Sequence, residues 1–148
     1  MNWREHARAS YALAAPTGAV VGMALGETAA GILAAGGCIA GVLLSPDLDQ
    51  VGITEAEAIV YRTAGKALGD LWRIYWLPYA VLIRHRHWLS HAPLIGTLGR
   101  LGYLLAPVVV WALARECTAD LWLVLWALWP LGIGLAVSDV AHWVMDLV

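Results

Sequence analysis

The sequence predicts an all-α, polytopic membrane protein: four transmembrane helices and an amphipathic helix lying on the cytoplasmic surface, in one domain over residues 1–148. Three observations predict it. Of the 148 residues 61% are apolar, nine are Trp and none is Phe, which leaves too little polar material to cover a water-soluble core. The nine basic and eleven acidic residues are clustered along the chain. Between the clusters, residues 9–26, 28–46, 101–114 and 121–138 contain no Asp, Glu, Lys or Arg. The net charge of −2 provides no basic field, so nucleic acid is excluded as a partner.

The spans are expected near residues 9–26, 28–46, 94–114 and 121–145, with bends at Pro16 and Pro130. An 18-residue helix covers about 27 Å, close to the ~30 Å hydrocarbon layer. The third span reaches that length by starting at Leu94, with Arg100 snorkelling to the headgroups. Arg4 and Arg8 precede the first span, and Arg62, Lys66, Arg73, Arg84, Arg86 and Arg100 follow the second, whereas Gly26-Glu27 carries no basic residue. The positive-inside rule then predicts both termini inside, in a bacterial inner (cytoplasmic) membrane. A cleavable signal peptide competes for the N-terminus but lacks an A-x-A site before a polar sequence. Cys38 and Cys117 fall at different depths and are expected to be free.

The intervening segment, residues 47–93, opens with Thr54-Glu55-Ala56-Glu57, a capping box that starts a helix. Val60, Ala64, Leu68, Leu71 and Tyr75 then share one face, and Glu55, Arg62, Lys66, Asp70 and Arg73 another. This pattern suits a helix on membrane lipids, with Trp72, Tyr75, Trp76 and Tyr79 at headgroup depth, or one packed on a protein partner. Pro78 is expected to end it, and a short second helix over residues 79–83 to follow.

The remaining ionisable groups gather on the same membrane side. His6 precedes span one, Asp47 and Asp49 close span two, His85, His87 and His91 precede span three, and Asp139, His142 and Asp146 end span four. His142 and Asp146 are spaced i, i+4 and project from one side of their helix. Ionisable groups at membrane depth are costly when unpaired, which favours a shared metal site. Mixed imidazole and carboxylate donors suit Zn best, with Mn or Fe next, and Mg or Ca poorly.

Several of these residues also carry a resemblance. Residues 72–79 and 84–97, with Pro46-Asp47-Leu48-Asp49, His85-Arg86, Ser90-His91 and the spaced pair His142 and Asp146, resemble a bacterial membrane family of metal-binding proteins of unknown function. His6 matches that family's N-terminal histidine. More distantly the chain is similar to the YdjM-type inner-membrane metal-dependent hydrolases. His87, Ala92 and Ala7 depart from the family pattern, but none of them replaces a proposed ligand.

The expected site therefore comprises His6, Asp47, Asp49, His85, His91, His142 and Asp146 around one or two ions, more donors than one tetrahedral shell needs. Two ions sharing carboxylates would serve hydrolysis of a phospho- or acyl-ester, lipid included. Asp47 or Asp139 would accept a proton, and Arg84 and Arg86 would hold phosphate. The alternative is a non-enzymatic module whose metal pins helix ends and whose basic surface binds lipid or a protein, alone or as a homo-oligomer. A transporter is disfavoured, because the ionisable groups avoid the bilayer midplane.

Overall fold

The computed structural model describes residues 3–85 and 87–147. Among these are seven α-helices, one 3₁₀ turn and no strand: α1 (Trp3–Leu25), α2 (Thr28–Ala40), the 3₁₀ turn (Pro46–Asp49), α3 (Glu55–Leu82), α4 (Trp88–His91), α5 (Ile95–Ala114), α6 (Thr118–Ala127) and α7 (Trp129–Asp146). The all-helical expectation holds.

Helices α1, α2 and α7 form the tightest part of the molecule. A Cβ placed on Gly37 would strike the Leu131 carbonyl, one on Gly134 the Ala34 carbonyl, and one on Gly41 the Ser138 side chain. Only glycine permits this backbone-to-backbone seam between α2 and α7, the kind of small-residue packing that joins helices where water does not drive association. Buried Val21, Ala30 and Ala34 complete it with Ile133. A second core gathers Leu48, Ala56, Trp76 and Tyr79, with Tyr103 of α5 ring-to-ring against Tyr75, Trp76 and Tyr79. It docks α3 and α5 beside the 3₁₀ turn.

The expected spans meet a more irregular set of helices. Helix α2 has 13 residues and covers about 20 Å, because the chain leaves the helix at Gly41 and Ser45 is extended ahead of Pro46. The last span is two helices, α6 and α7, bent by 54°, with Pro130 in the first turn of α7, where a missing N–H costs nothing. Among the described residues, α5 alone is long and apolar enough to cross a membrane, and α6 with α7 passes only as a bent pair. Pro16 lies inside α1 without ending it.

Helix α3 corrects two further expectations. Thr54 caps it by accepting the Glu57 N–H at 3.2 Å, yet Glu57 does not complete the box: its Oε2 is buried without a hydrogen-bond partner. The helix runs through Pro78 to Leu82 and breaks instead at Gly65, whose φ of 83° is open to glycine. That break lets Tyr61 lie over Gly69 and donate to Asp70 at 2.7 Å. The face proposed from Val60 to Tyr75 is therefore interrupted at Gly65. Leu68 and Leu71 stay exposed while Tyr75 turns inward to the carbonyls of Tyr103 and Leu104. Both cysteines are free, as expected.

Candidate metal centre

Four elements bring ionisable groups to one end of the bundle. Helix α1 supplies His6 from its first turns, the 3₁₀ turn supplies Asp47 and Asp49, α4 ends in His91, and α7 ends with His142 and Asp146. His85 lies in the connection ahead of α4. The compact 3₁₀ turn matters here, since it aims two carboxylates from a four-residue segment into different surroundings.

Two ligand sets result. In the first, His6 Nε2 lies 3.4 Å from Asp146 Oδ1 and His142 Nε2 3.4 Å from Asp146 Oδ2, and the two imidazoles stack with centroids 4.0 Å apart. In the second, Asp47, His85 and His91 bring one donor atom each within 4.8 Å of one another. Asp47 stands between the sets, with Oδ1 4.0 Å from His91 Nε2 and Oδ2 3.9 Å from His142 Nε2. Two donors about 2.1 Å from a tetrahedral ion lie roughly 3.4 Å apart, so the spacing in the first set suits a shared cation. The orphaned atoms agree: His6 Nδ1 and both ring nitrogens of His91 are buried without a hydrogen-bond partner.

Asp49 occupies a different position from Asp47. Its side chain is fully buried, with Oδ1 2.7 Å from His85 Nδ1 and Oδ2 3.3 Å from His91 Nδ1, the latter poorly aligned for a hydrogen bond. Burial raises its carboxyl pKa, but contacts and charge from His91 and His85 outweigh this and hold it below the ordinary carboxylate value. The group is thus an anion at neutral pH, placed behind both imidazoles. His85 remains 41% exposed, so this side of the centre is open.

Asp139 and Arg100 sit elsewhere than expected. Arg100 does not reach for headgroups: it is 2% exposed and pairs with the Asp139 carboxylate, which also accepts from Thr97. Asp139 is thereby engaged away from the ligand sets. Arg86 lies outside the described residues, and Arg84 is exposed.

Sequence reasoning missed three residues beside the centre. A cavity of about 30 Å³, room for one or two waters, is lined by His6, Ser10, Asp47, Glu55, Ser138 and His142. The hydroxyls of Ser10 and Ser138 meet at 2.7 Å across α1 and α7. Their signal was present, since each lies four residues from a cluster histidine, His6 or His142, on the same helix face. Glu55, paired with Arg62, gave none, because the charged face of α3 with Arg62, Lys66, Asp70 and Arg73 already accounted for it.

Fold and site together define an all-helical protein with candidate His and Asp ligand sets at one end of its bundle. Residues 3–129 match the family described as uncharacterized metal-binding protein (DUF2227), and the chain belongs to that family. The match includes five of the seven expected ligands and stops before His142 and Asp146. No curated protein and no solved structure matches the chain.

Proposed function

We propose that this chain is a membrane-embedded metalloprotein whose centre holds two divalent cations and hydrolyses a phospho- or acyl-ester, a lipid among the candidates, at the cytoplasmic face. The observation that carries the proposal is Asp47, poised between His91 and His142. His6, His142 and Asp146 would hold one ion, His85 and His91 the other, and Asp47 both. The donor set favours Zn, with Mn or Fe next. Asp49 fixes the orientation of the imidazoles from behind, as carboxylates behind metal-bound histidines do.

A bound divalent cation supplies Lewis acidity, lowering the pKa of water and offsetting charge on an ester oxygen. Asp139 is buried and engaged by Arg100, whereas Glu55 lines the cavity and pairs with the exposed Arg62 through Oε1 alone, so its Oε2 would take the proton from water. The water oxygen bonds to phosphorus or the acyl carbon, the ester bond breaks, and the alcohol leaves with the proton returned from Glu55.

Membrane embedding is supported by the surface. No residue of α6 is buried, and Trp122 and Trp126 are 70% and 74% exposed, a large apolar display for a water-facing helix. In this reading α1 with α2 and α5 with the bent α6–α7 pair make two hairpins in the inner membrane, both termini inside. The short α2 is accommodated by local thinning or by a homo-oligomer. Helix α3 lies along the lipid surface. A cysteine placed within residues 54–75 is expected to resist labelling from the periplasm; labelling there would overturn the topology.

A second reading, metal as a pin without catalysis, is favoured by the spread of donors over α1, the 3₁₀ turn, α4 and α7. Metal analysis of detergent-purified protein and a screen of phospho- and acyl-esters separate the two. Two ions per chain with turnover abolished by Glu55→Gln supports the enzyme. Two ions with no ester hydrolysed supports the pin, and no metal bound overturns both.

A further inference from the structure

Arg100 is the one fully buried cation among the described residues, and its guanidinium is used on three sides. Nη2 pairs with Asp139, Nε donates to the Leu44 carbonyl at 2.9 Å, and Nη1 donates to the Ser90 carbonyl at 2.8 Å. The two carbonyls belong to the segments that carry the centre. Leu44 lies just ahead of the Pro46–Asp49 turn with Asp47 and Asp49, and Ser90 directly precedes His91. The same segments are tied once more, where the Ser90 hydroxyl donates to the Pro46 carbonyl at 3.0 Å.

We propose that Arg100 is a positioning residue of the metal centre: a buried clamp that fixes the Asp47-bearing turn against His91 while touching no ligand side chain. The proposal rests on the metal-centre reading above. Its physical basis is the fork of the guanidinium. A planar group with five donors can bind one carboxylate and two diverging carbonyls at once, whereas an ammonium on a flexible stem cannot hold that geometry. Asp139 supplies the countercharge that lets the cation stay buried, and it lies on α7 three residues before His142. The clamp thus also references the turn and α4 to the helix carrying the first ligand set.

A merely structural ion pair would serve equally well if replaced by a packed apolar pair, because neither charge would then be left uncompensated. A clamp would not, since the bonds to Leu44 and Ser90 would be lost. The full chain in detergent micelles, with Co²⁺ as a spectroscopic probe, separates these possibilities. For the double variant Arg100→Met/Asp139→Leu, the melting temperature should recover part of the loss seen in either single variant, since no charge is left unpaired. Co²⁺ affinity should remain 10- to 100-fold weaker, with a changed ligand-field absorption spectrum, as for lost supports of metal ligands. Arg100→Lys should retain the ion pair and still show weakened affinity and the altered spectrum.

Wild-type affinity and spectrum in the folded double variant would overturn the clamp. So would full rescue by Arg100→Lys. If wild-type protein takes up no Co²⁺ or Zn²⁺, the metal reading fails separately, and hydrogen exchange decides the clamp. Amides of residues 45–50 and 88–92 should lose protection in Arg100→Lys; unchanged protection there would overturn it. Should the double variant fail to fold, the Arg100→Lys spectrum and exchange carry the decision alone.

Discussion

Two polar clusters lie within one bundle and are built on opposite principles. Around Arg100 both charged groups are matched: the guanidinium has a carboxylate and two carbonyls, and Asp139 also receives Thr97. Around Asp47 matching is incomplete: Gln50 Nε2 donates to its Oδ1 at 3.1 Å, but the rings beside it lack partners. Three buried imidazole nitrogens on His6 and His91 have no hydrogen-bond partner, and Asp47 stands about 4 Å from two rings. Leaving a buried polar atom unmatched costs about 1–3 kcal/mol; Glu57, Trp72, Trp76 and Tyr79 of α3 carry such atoms as well, but only the imidazoles of His6 and His91 belong to a candidate ligand set. The matched cluster holds the fold; the unmatched one is ready for a cation.

The largest effect should come from breaking the matched cluster on one side. Arg100→Met strands the Asp139 carboxylate and is expected to cost about 3–5 kcal/mol, read as a fall in the melting temperature of metal-free protein in detergent. His91→Ala should behave in the contrary way. It is expected to lower the metal-free melting temperature less than Arg100→Met, since Asp49 keeps His85, but to abolish most of the stabilisation by added Zn²⁺, which for wild type is about 2.7 kcal/mol at a free concentration one hundred times Kd. If both substitutions act alike on metal-free protein, the contrast between the clusters is lost.

Asp49→Asn sharpens the contrast, since Asp49 backs the imidazoles of the unmatched cluster. Metal affinity should fall 10- to 100-fold without the loss of a full ligand set, measured by competitive titration. The sign of its pH effect follows from its lowered pKa. Its stabilisation is complete above the ordinary carboxyl value of 3.8 and is lost as pH falls through the lower folded-state value. Acid unfolding of metal-free protein below about pH 4 should therefore be less steep in Asp49→Asn. The smallest effect belongs to Lys66→Ala, which removes an exposed pair with Asp70 on α3 and should change neither metal content nor melting temperature measurably.

What could be read from the chain followed locality. The Thr54 cap, the turn at Gly26-Glu27 and the free cysteines each depend on nearby residues or on composition, and each was legible. Convergence of the histidines and carboxylates was also legible, because helices that alternate in direction bring His6, Asp47 and His142 to the same end. Arg100 was misread since its partner is 39 positions away. From one sequence, a cation near a span end is indistinguishable from one that reaches for lipid. The break in α3 fell at Gly65 instead of Pro78 because Trp76, Tyr79 and Ala80 are all buried and hold the helix across the proline, an effect of packing that no local pattern encodes. Glu55 was read as part of the charged face of α3 and so was not seen beside the cavity.

The glycine seam between α2 and α7 acts as a spacer gauge for the centre. Helix α2 runs toward the turn that bears Asp47, and α7 ends with His142 and Asp146, so the distance between two backbones fixes how far apart those groups stand. With Gly37, Gly41 and Gly134 in contact with the opposite helix, the gauge is at its minimum setting. Any side chain added at these positions can only widen it, and the widening would be carried along both helices to donors whose tolerance is a few tenths of an ångström. In the proposed metalloprotein, selectivity among ions of different radius would then be adjustable from the backbone contacts of Gly37 and Gly134, which supply no ligand.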